Sequence, residues 1–396
     1  MNQIVLPVHR SPCEGYLAFL PKLYQERNED ACLKHAILSV SYLTLAHDQK
    51  SQKLDIEARK NHGISLHLLK KALESQYSVI KDEVLTACLL LSIFYDLSQD
   101  ETGLPDPHMS GVHHLLRLRG KQQLGSKYGR QLIGWMMMQT QLQALKLNHF
   151  QYAELPSFVQ TLSKPDNVFR AGIVNSKIAR FCQSATAVCS TALTRNTEQE
   201  PIVSIYSLIE QAELLMYDIE AWHSSIPGHW KQQYHPEHRA DSNIPPPDPW
   251  TTIFLAVNHA TQVIFYLQVL KCLHTVEHLD PEPKRWPLEA RPSEYRQMIE
   301  CRIRYLINII CFTVRSNVGE MDANEQFNPG SNAMSGFKFA NNTLYWPMQV
   351  VVDCPLSTTA QKMLCRNALH YIRPATGNRM VHPIGGENVL PVIPVP

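Results

Sequence analysis

Apolar positions recur with a helical period along almost the whole chain. Past Asn28, which is placed to cap a helix, one face is marked by Leu33, Ile37, Val40 and Leu43. Residues 51–75 repeat the pattern with more charged positions between the apolar ones. Residues 82–97 are apolar on all sides, which predicts a helix with neighbours all round it.

The same period predicts helices through the rest of the chain. A proline near its start and Gly120 at its end bound a short helix over residues 107–120. Further helices are predicted at residues 126–148, 171–195, 202–223, 250–274, 293–315, 342–352 and 357–372, with Ser293 as the cap of the fifth. Strand alternation, repeats and heptads are missing, so the predicted fold class is all-α: one large multi-helix domain, a helical bundle or superhelical array.

Polar and proline-rich stretches set the predicted domain organisation. Residues 1–27 are expected to be an extended N-terminal segment, followed by a helical domain over residues 28–372. Within this domain, residues 227–249 are predicted to form a polar, proline-rich loop and residues 323–335 a mobile segment. Residues 373–396 end in a proline-rich sequence that predicts an extended or disordered tail.

Composition narrows the class of protein. Apolar residues make up 44% and charged residues 18%, and 37 Lys+Arg face 36 Asp+Glu for a net charge of +1. That balance disfavours nucleic-acid binding by bulk electrostatics. The N-terminus has no apolar leader, and polar side chains interrupt the most apolar stretch, residues 253–273. We therefore expect an intracellular protein with no membrane partner.

Metal chemistry finds little support in the sequence. No two of the ten cysteines lie within three positions of each other, so no local set of thiolates can converge on zinc. We expect reduced thiols that pack as small apolar groups. Two local groups of histidines are interpreted as exposed or hydrogen-bonded side chains. One contains His108, His113 and His114, and the other His235 and His238. The one basic run is predicted to be a solvated helix end: Arg117, Arg119 and Lys121.

Three segments, taken in order, resemble the fungal-specific transcription factor domain, the regulatory part of fungal zinc-cluster activators. The first matches at Leu89, Leu90, Tyr95, His108, Gly111, Leu115, Leu116, Arg119 and Gly120, the second at Trp222, Pro227 and Trp230, and the third at Trp346 and Pro347. Together they cover about residues 28–372. The sequence departs from the family at His62, where an aromatic residue is common, and in having neither the six-cysteine zinc cluster nor its basic linker.

The resemblance assigns structural roles to the matching residues of the short helix and of the second segment. We call the latter, with Trp222, Pro227 and Trp230, the Trp–Pro–Trp segment. Gly111 in particular is expected to let the buried helix of residues 82–97 approach closely, so that a large side chain there would destabilise the fold. Aromatic and methionine side chains in the buried helices are first of all core. The resemblance adds a second role, an apolar ligand held between helices, as in the sterol-sensing regulators of yeasts, with these candidate ligand-binding residues: Tyr95, Trp135, Met138, Tyr345 and Trp346.

Two functions from different classes follow, and the sequence leaves both open. The first is a nuclear regulator of fungal metabolic, including secondary-metabolite, genes, without its own DNA-binding cluster or any cofactor. Its partner would be a hydrophobic small molecule or a protein, and a homodimer is a further expectation. The alternative is a cytoplasmic, cofactor-free isomerase or cyclase of fungal secondary metabolism, with His113, His114 and Tyr95 as catalytic candidates. A zinc cluster encoded by an upstream exon would restore an ordinary transcription factor.

The purified chain is expected to hold no stoichiometric zinc and to bind duplex DNA weakly, with no preference for sequence. Net charge near zero allows few contacts to phosphate, and DNA affinity rises with those contacts. Metal analysis and fluorescence anisotropy on two unrelated duplexes check this. Tightly held zinc, or clear discrimination between the duplexes, would contradict it.

Overall fold

The computed structural model describes residues 17–27, 29–75, 81–98, 107–147, 159, 165–194, 200–232, 249–280, 286–322, 326–329 and 338–376. In the first half of the chain, helices α1 to α6 span Leu20–Glu26, Ala31–Gln49, Gln52–Leu73, Asp82–Ser98, Pro107–Arg119 and Gly129–Leu147. In the second half, helices α7 to α13 span Asn167–Thr194, Glu200–Ser225, Gly228–Gln232, Pro249–Leu279, Pro292–Asn317, Lys338–Asp353 and Thr359–Thr376. The predicted all-α fold is confirmed.

One small antiparallel ribbon is the exception among the described residues. Strand β1 (Gly319–Met321) pairs with strand β2 (Phe327–Pro329). Its turn is closed by Asp322, whose backbone N–H donates to the carbonyl of Gln326 at 2.8 Å and whose carboxylate accepts from Gln326 N at 2.8 Å. The sequence predicted a mobile segment here, because strands of three residues are too short to show alternation. Residues 323–325 and 330–335 of that segment lie outside the described part.

Helix α4 is the centre of the first hydrophobic core. Every residue from Glu83 to Phe94 is buried, as its apolar composition predicted. Helix α2 packs along α4 and α3, and α5 and α6 also contact α4. Gly120 ends α5 with φ +54°, a left-handed conformation that glycine adopts without strain, so its predicted role as a cap is confirmed.

Helix α10 plays the same part in the second core. All residues from 250 to 270 are buried, and α7, α8, α11 and α12 surround the helix. Among the described residues it is the one helix long and apolar enough to cross a membrane, and the whole of its most apolar 18-residue stretch is buried inside the fold. Its apolar composition is thus satisfied by protein neighbours.

The two cores meet where α6 packs on α7. Met138 packs against both cores. A Cβ built on Gly172 of α7 would lie 2.1 Å from Cε of Met137, so the end of the Met137 side chain occupies the space beside this glycine. The sequence placed a close helix approach at Gly111, and that expectation is wrong. A Cβ there meets only Cys88 Sγ, at an ordinary 3.9 Å, and Gly111 itself is exposed.

Several helix boundaries differ from the prediction. Residues 1–27 were expected to be extended, but α1 forms within them because Leu20 and Leu23 share a buried face; residues 1–16 lie outside the described part. The cap of α2 is Asp30, whose Oδ1 accepts from Leu33 N at 2.9 Å, and Asn28 is not described. The cap of α11 is Arg291 rather than Ser293, because a proline occupies the first helical position.

The predicted loop and tail also change at their edges. Helix α9 lies inside residues 227–249 and buries Trp230. Helix α13 continues to Thr376, four residues into the predicted tail. The rest of both segments, residues 233–248 and 377–396, lies outside the described residues, as do His235 and His238.

Arg119 is not part of a solvated helix end. Its side chain is 4% exposed and forms an ion pair with Asp82, which is 13% exposed and also accepts from Ser126 Oγ at 3.1 Å. Arg117 and Lys121 are exposed. The sequence missed this pair because its members lie 37 residues apart on α4 and α5.

Replacing Arg119 with methionine is expected to destabilise the fold by about 3–5 kcal/mol, because the largely buried carboxylate of Asp82 is left without its cation. Urea denaturation checks the value. The matched control is Lys177→Met, which breaks an ion pair with Asp218 whose side chains are 44% and 43% exposed, and is expected to cost under about 1 kcal/mol. Equal losses in the two variants would show that burial of the Arg119 pair is unimportant.

Candidate functional site

A cleft of about 200 Å³ opens between α8, α9, α10 and α11. We call it the basic cleft. Its apolar residues are Ile219, Leu306 and Ile309, its aromatic residues Tyr266 and Tyr305, and its polar and charged residues Glu220, His223, Ser224, Lys231, Gln262 and Arg302. On α11 the lining residues fall at positions i, i+3, i+4 and i+7 from Arg302, which is one face of a helix.

The Trp–Pro–Trp segment positions one wall of the basic cleft. The rings of Trp222 and Trp230 both pack on Phe254 of α10, with centroids 6.5 Å and 6.0 Å away. The carbonyl of Pro227 accepts from Trp230 N at 3.0 Å and Lys231 N at 3.2 Å, which starts α9. Because Trp230 is buried, the next residue, Lys231, is presented to the cleft. The family motif thus has a structural role beside the site.

Two cations and one anion line the cleft. Arg302 approaches Glu220 with Nη2 to Oε2 at 3.9 Å, and their side chains are 54% and 62% exposed. That separation is longer than a charge-assisted hydrogen bond, so the guanidinium donors are loosely engaged. Lys231 Nζ donates to the carbonyl of Ser224 at 3.3 Å. The cleft therefore carries an excess of one positive charge.

Two further side chains of the cleft, His223 and Tyr266, are held in their neutral forms by burial. Burial lowers the pKa of His223, whose Nε2 donates to Gln262 Oε1 at 3.1 Å. The ring of His223 stacks on His259, with centroids 5.4 Å apart. Burial raises the pKa of Tyr266 to about 12, so its hydroxyl stays protonated. Arg302, Lys231 and Glu220 are therefore the charged groups of the cleft.

A second cavity, of about 20 Å³, lies between the two cores and includes Met138. It has room for about one water molecule. Residues that line it form two hydrogen bonds with each other. Gln141 Nε2 donates to the carbonyl of Gly172 at 2.6 Å, and Asn175 Nδ2 donates to Asn258 Oδ1 at 2.9 Å. Met138 therefore packs at a junction that has no space for a metabolite.

The structure does not bring the five predicted ligand-binding residues together. Trp135 belongs to the first core and Trp346 to the second, at 1% and 3% exposed. Tyr95 and Tyr345 are half-buried on α4 and α12. Of the five, Met138 alone lines either of the two cavities described above.

Tyr95 lies beside His108 instead of His114. The two rings meet edge to face with centroids 6.3 Å apart, and His108 is equally distant from His62. His62 stacks on Phe94 at 4.1 Å, so it fills the aromatic position at which the sequence departs from the family. His113 is half-buried, and His114, the first catalytic suspect, is exposed.

Metal-binding clusters of three or more His, Cys, Asp or Glu side chains are not found among the residues that the structure describes. The thiols are dispersed through the cores. Cys189 and Cys272 lie with their sulfurs 3.7 Å apart, between α7 and α10, and both are buried. Cys301 is exposed on α11.

Sequence reasoning missed most of the basic cleft. Tyr266 was covered only by the general expectation that aromatic side chains of the buried helices form the core. His223, Lys231, Arg302 and Tyr305 were not singled out. Their segments are separated by long stretches of sequence, and charged positions on an amphipathic helix ordinarily face solvent. The available signal was the exposed, partly aromatic face of α11, where Tyr305 is 45% exposed.

A family model for the fungal specific transcription factor domain matches residues 3–318. The match covers more than half of the chain, so the protein belongs to this family. It includes the matching residues on α4 and α5 and the Trp–Pro–Trp segment, whereas Trp346 and Pro347 lie beyond it. No curated protein and no solved structure matches the chain.

Stability is expected to depend on pH through His62. Burial, followed by the charges of His108 and Arg59, lowers the pKa of His62 from 6.5 to about 4. Between these values the unfolded chain binds a proton here and the folded chain does not. The free energy of unfolding is therefore highest above pH 6.5, as far as His62 determines it, and decreases as the pH falls towards 4.

His62→Phe keeps an aromatic ring on Phe94 and removes the proton, so it should lose less stability between pH 7 and pH 5 than the wild type. Urea midpoints at the two pH values measure this. His67→Gln, at an exposed position on the same helix, is the control and should follow the wild-type profile. Parallel profiles for His62→Phe and wild type would contradict the prediction.

Proposed function

We propose that this chain is the regulatory domain of a fungal transcription regulator that acts in the nucleus on metabolic genes, secondary-metabolite genes among them. Family membership over residues 3–318 carries the proposal and supports a regulatory role. The helical architecture, with a cleft between four of its helices, is a suitable scaffold for receiving a signal.

The signal in this proposal comes from a small molecule or a partner protein, and not from DNA contacted by this domain. The cysteines do not supply closely spaced zinc ligands. Arg119, in the one basic run of the sequence, is buried against Asp82 and so cannot reach a phosphate. A net charge of +1 for the whole sequence also gives little attraction for a duplex.

The enzyme hypothesis gains no specific support. Of the catalytic candidates His113, His114 and Tyr95, His114 is exposed, and none of the three lines the basic cleft or the smaller cavity. A positioned acid and base must lie within hydrogen-bond reach of one reacting group. We therefore keep the regulatory function as the proposal.

Deletion of the gene tests this proposal, with transcripts and metabolites measured in the same cultures. A regulator predicts that several transcripts change together and that the wild-type gene, reintroduced, restores them. The opposite result is a set of unchanged transcripts with one accumulated intermediate that the purified protein consumes. That result would replace the regulatory function by an enzymatic one.

A further inference from the structure

We propose that the basic cleft binds a small monocarboxylate with an apolar, preferably aromatic, body. The inference deepens the proposed function, on which it rests, by naming the chemical class of the effector. It is argued from the charges, the apolar surface and the size of the cleft.

The charges of the cleft select an anion. Lys231 and Arg302 face a single acidic side chain, Glu220, so one positive charge is left over. Arg302 Nη2 stands 3.9 Å from Glu220 Oε2, too far for the paired hydrogen bonds that a guanidinium makes with a carboxylate. A ligand carboxylate can therefore accept hydrogen bonds from the planar guanidinium of Arg302 without breaking a strong ion pair.

The apolar surface calls for a hydrocarbon body behind that carboxylate. Ile219, Leu306 and Ile309 are each 3% exposed and belong to the second core, so they form a fixed apolar wall. Tyr266 is 4% exposed and Tyr305 is 45% exposed, which places one aromatic ring within the wall and another at the surface. Such rings favour a flat or aromatic ligand, because aromatic pairs gain beyond simple area burial.

The size of the cleft limits the ligand. Its volume of about 200 Å³ is below the range of roughly 300–1,000 Å³ that is typical of drug-sized ligands. The excess of one positive charge matches a single carboxylate better than a multiply charged phosphate ester. The structure thus favours a compact monoacid over a sterol or a nucleotide.

Isothermal titration calorimetry on the full chain tests the assignment with phenylacetate and hexanoate as probes, each paired with its neutral amide. We expect saturable binding of at least one acid and weaker binding of its amide. Arg302→Gln should weaken the binding of that acid by about tenfold or more, because it removes a charge-assisted contact. Glu220→Gln should strengthen it several-fold, because it removes the competing anion.

Arg304→Gln is the matched control. Arg304 lies two positions further along α11, is 55% exposed and pairs with Glu300 at 3.5 Å, outside the cleft. Its replacement should leave affinity unchanged. Circular dichroism melts check that the variants fold, which we expect because the replaced side chains are more than half exposed.

Three results would overturn the assignment: no saturable binding of either acid, equal affinity for acid and amide, or equal losses in Arg302→Gln and Arg304→Gln. The gene deletion decides the proposed function separately. Transcripts that change on deletion, together with failed carboxylate binding, would leave the regulator and remove this ligand. Carboxylate binding together with unchanged transcripts would keep this ligand and remove the proposed regulatory function.

Discussion

The burial of residues 250–270 of α10 on all faces is the constraint on which the second half of the structure depends. A helix with no solvent face needs neighbours all round, and its polar side chains need partners, because an unpaired buried polar group is costly. Asn258 pairs with Asn175 of α7, Gln262 with His223 of α8, and Thr252 with Asn317 of α11. Each hydrogen bond ties α10 to one neighbouring helix.

The basic cleft follows from that arrangement. The pair between Gln262 and His223 holds the end of α8 against α10, and Trp222 and Trp230 fasten α8 and α9 to Phe254. On the far side α11 is held by its own buried face. Across the cleft, Arg302 of α11 and Glu220 of α8 form a loose ion pair 3.9 Å long. Polar groups are tolerated in the cleft because its mouth is open to water. Its floor is closed by apolar residues of the second core.

The two cores are joined by continuous packing and not by a single contact. Met137 lies over Gly172, Met138 touches both cores, and α13 also packs on α2. The cleft belongs to the second core, whereas the short helix α5 with the family's His–Gly–Leu–Leu–Arg–Gly residues belongs to the first. If a ligand in the cleft affected α5, the effect would have to pass through these helix contacts. Coupling between two sites requires a structural element whose conformational equilibrium both sites shift.

The sequence by itself determined the fold class, the existence of the long helices, the all-round burial of α4 and the family, because apolar period and the order of local motifs are properties of adjacent residues. Two helix caps, Asp30 and Arg291, lie two residues from their predicted positions, since several neighbouring groups compete to cap one end. Tertiary structure alone decided which distant side chains meet. It buried Arg119 against Asp82, set the end of the Met137 side chain beside Gly172, and placed Arg302, Lys231 and His223 around one cleft. Such meetings depend on how helices are set against one another, which the period of any single helix does not encode.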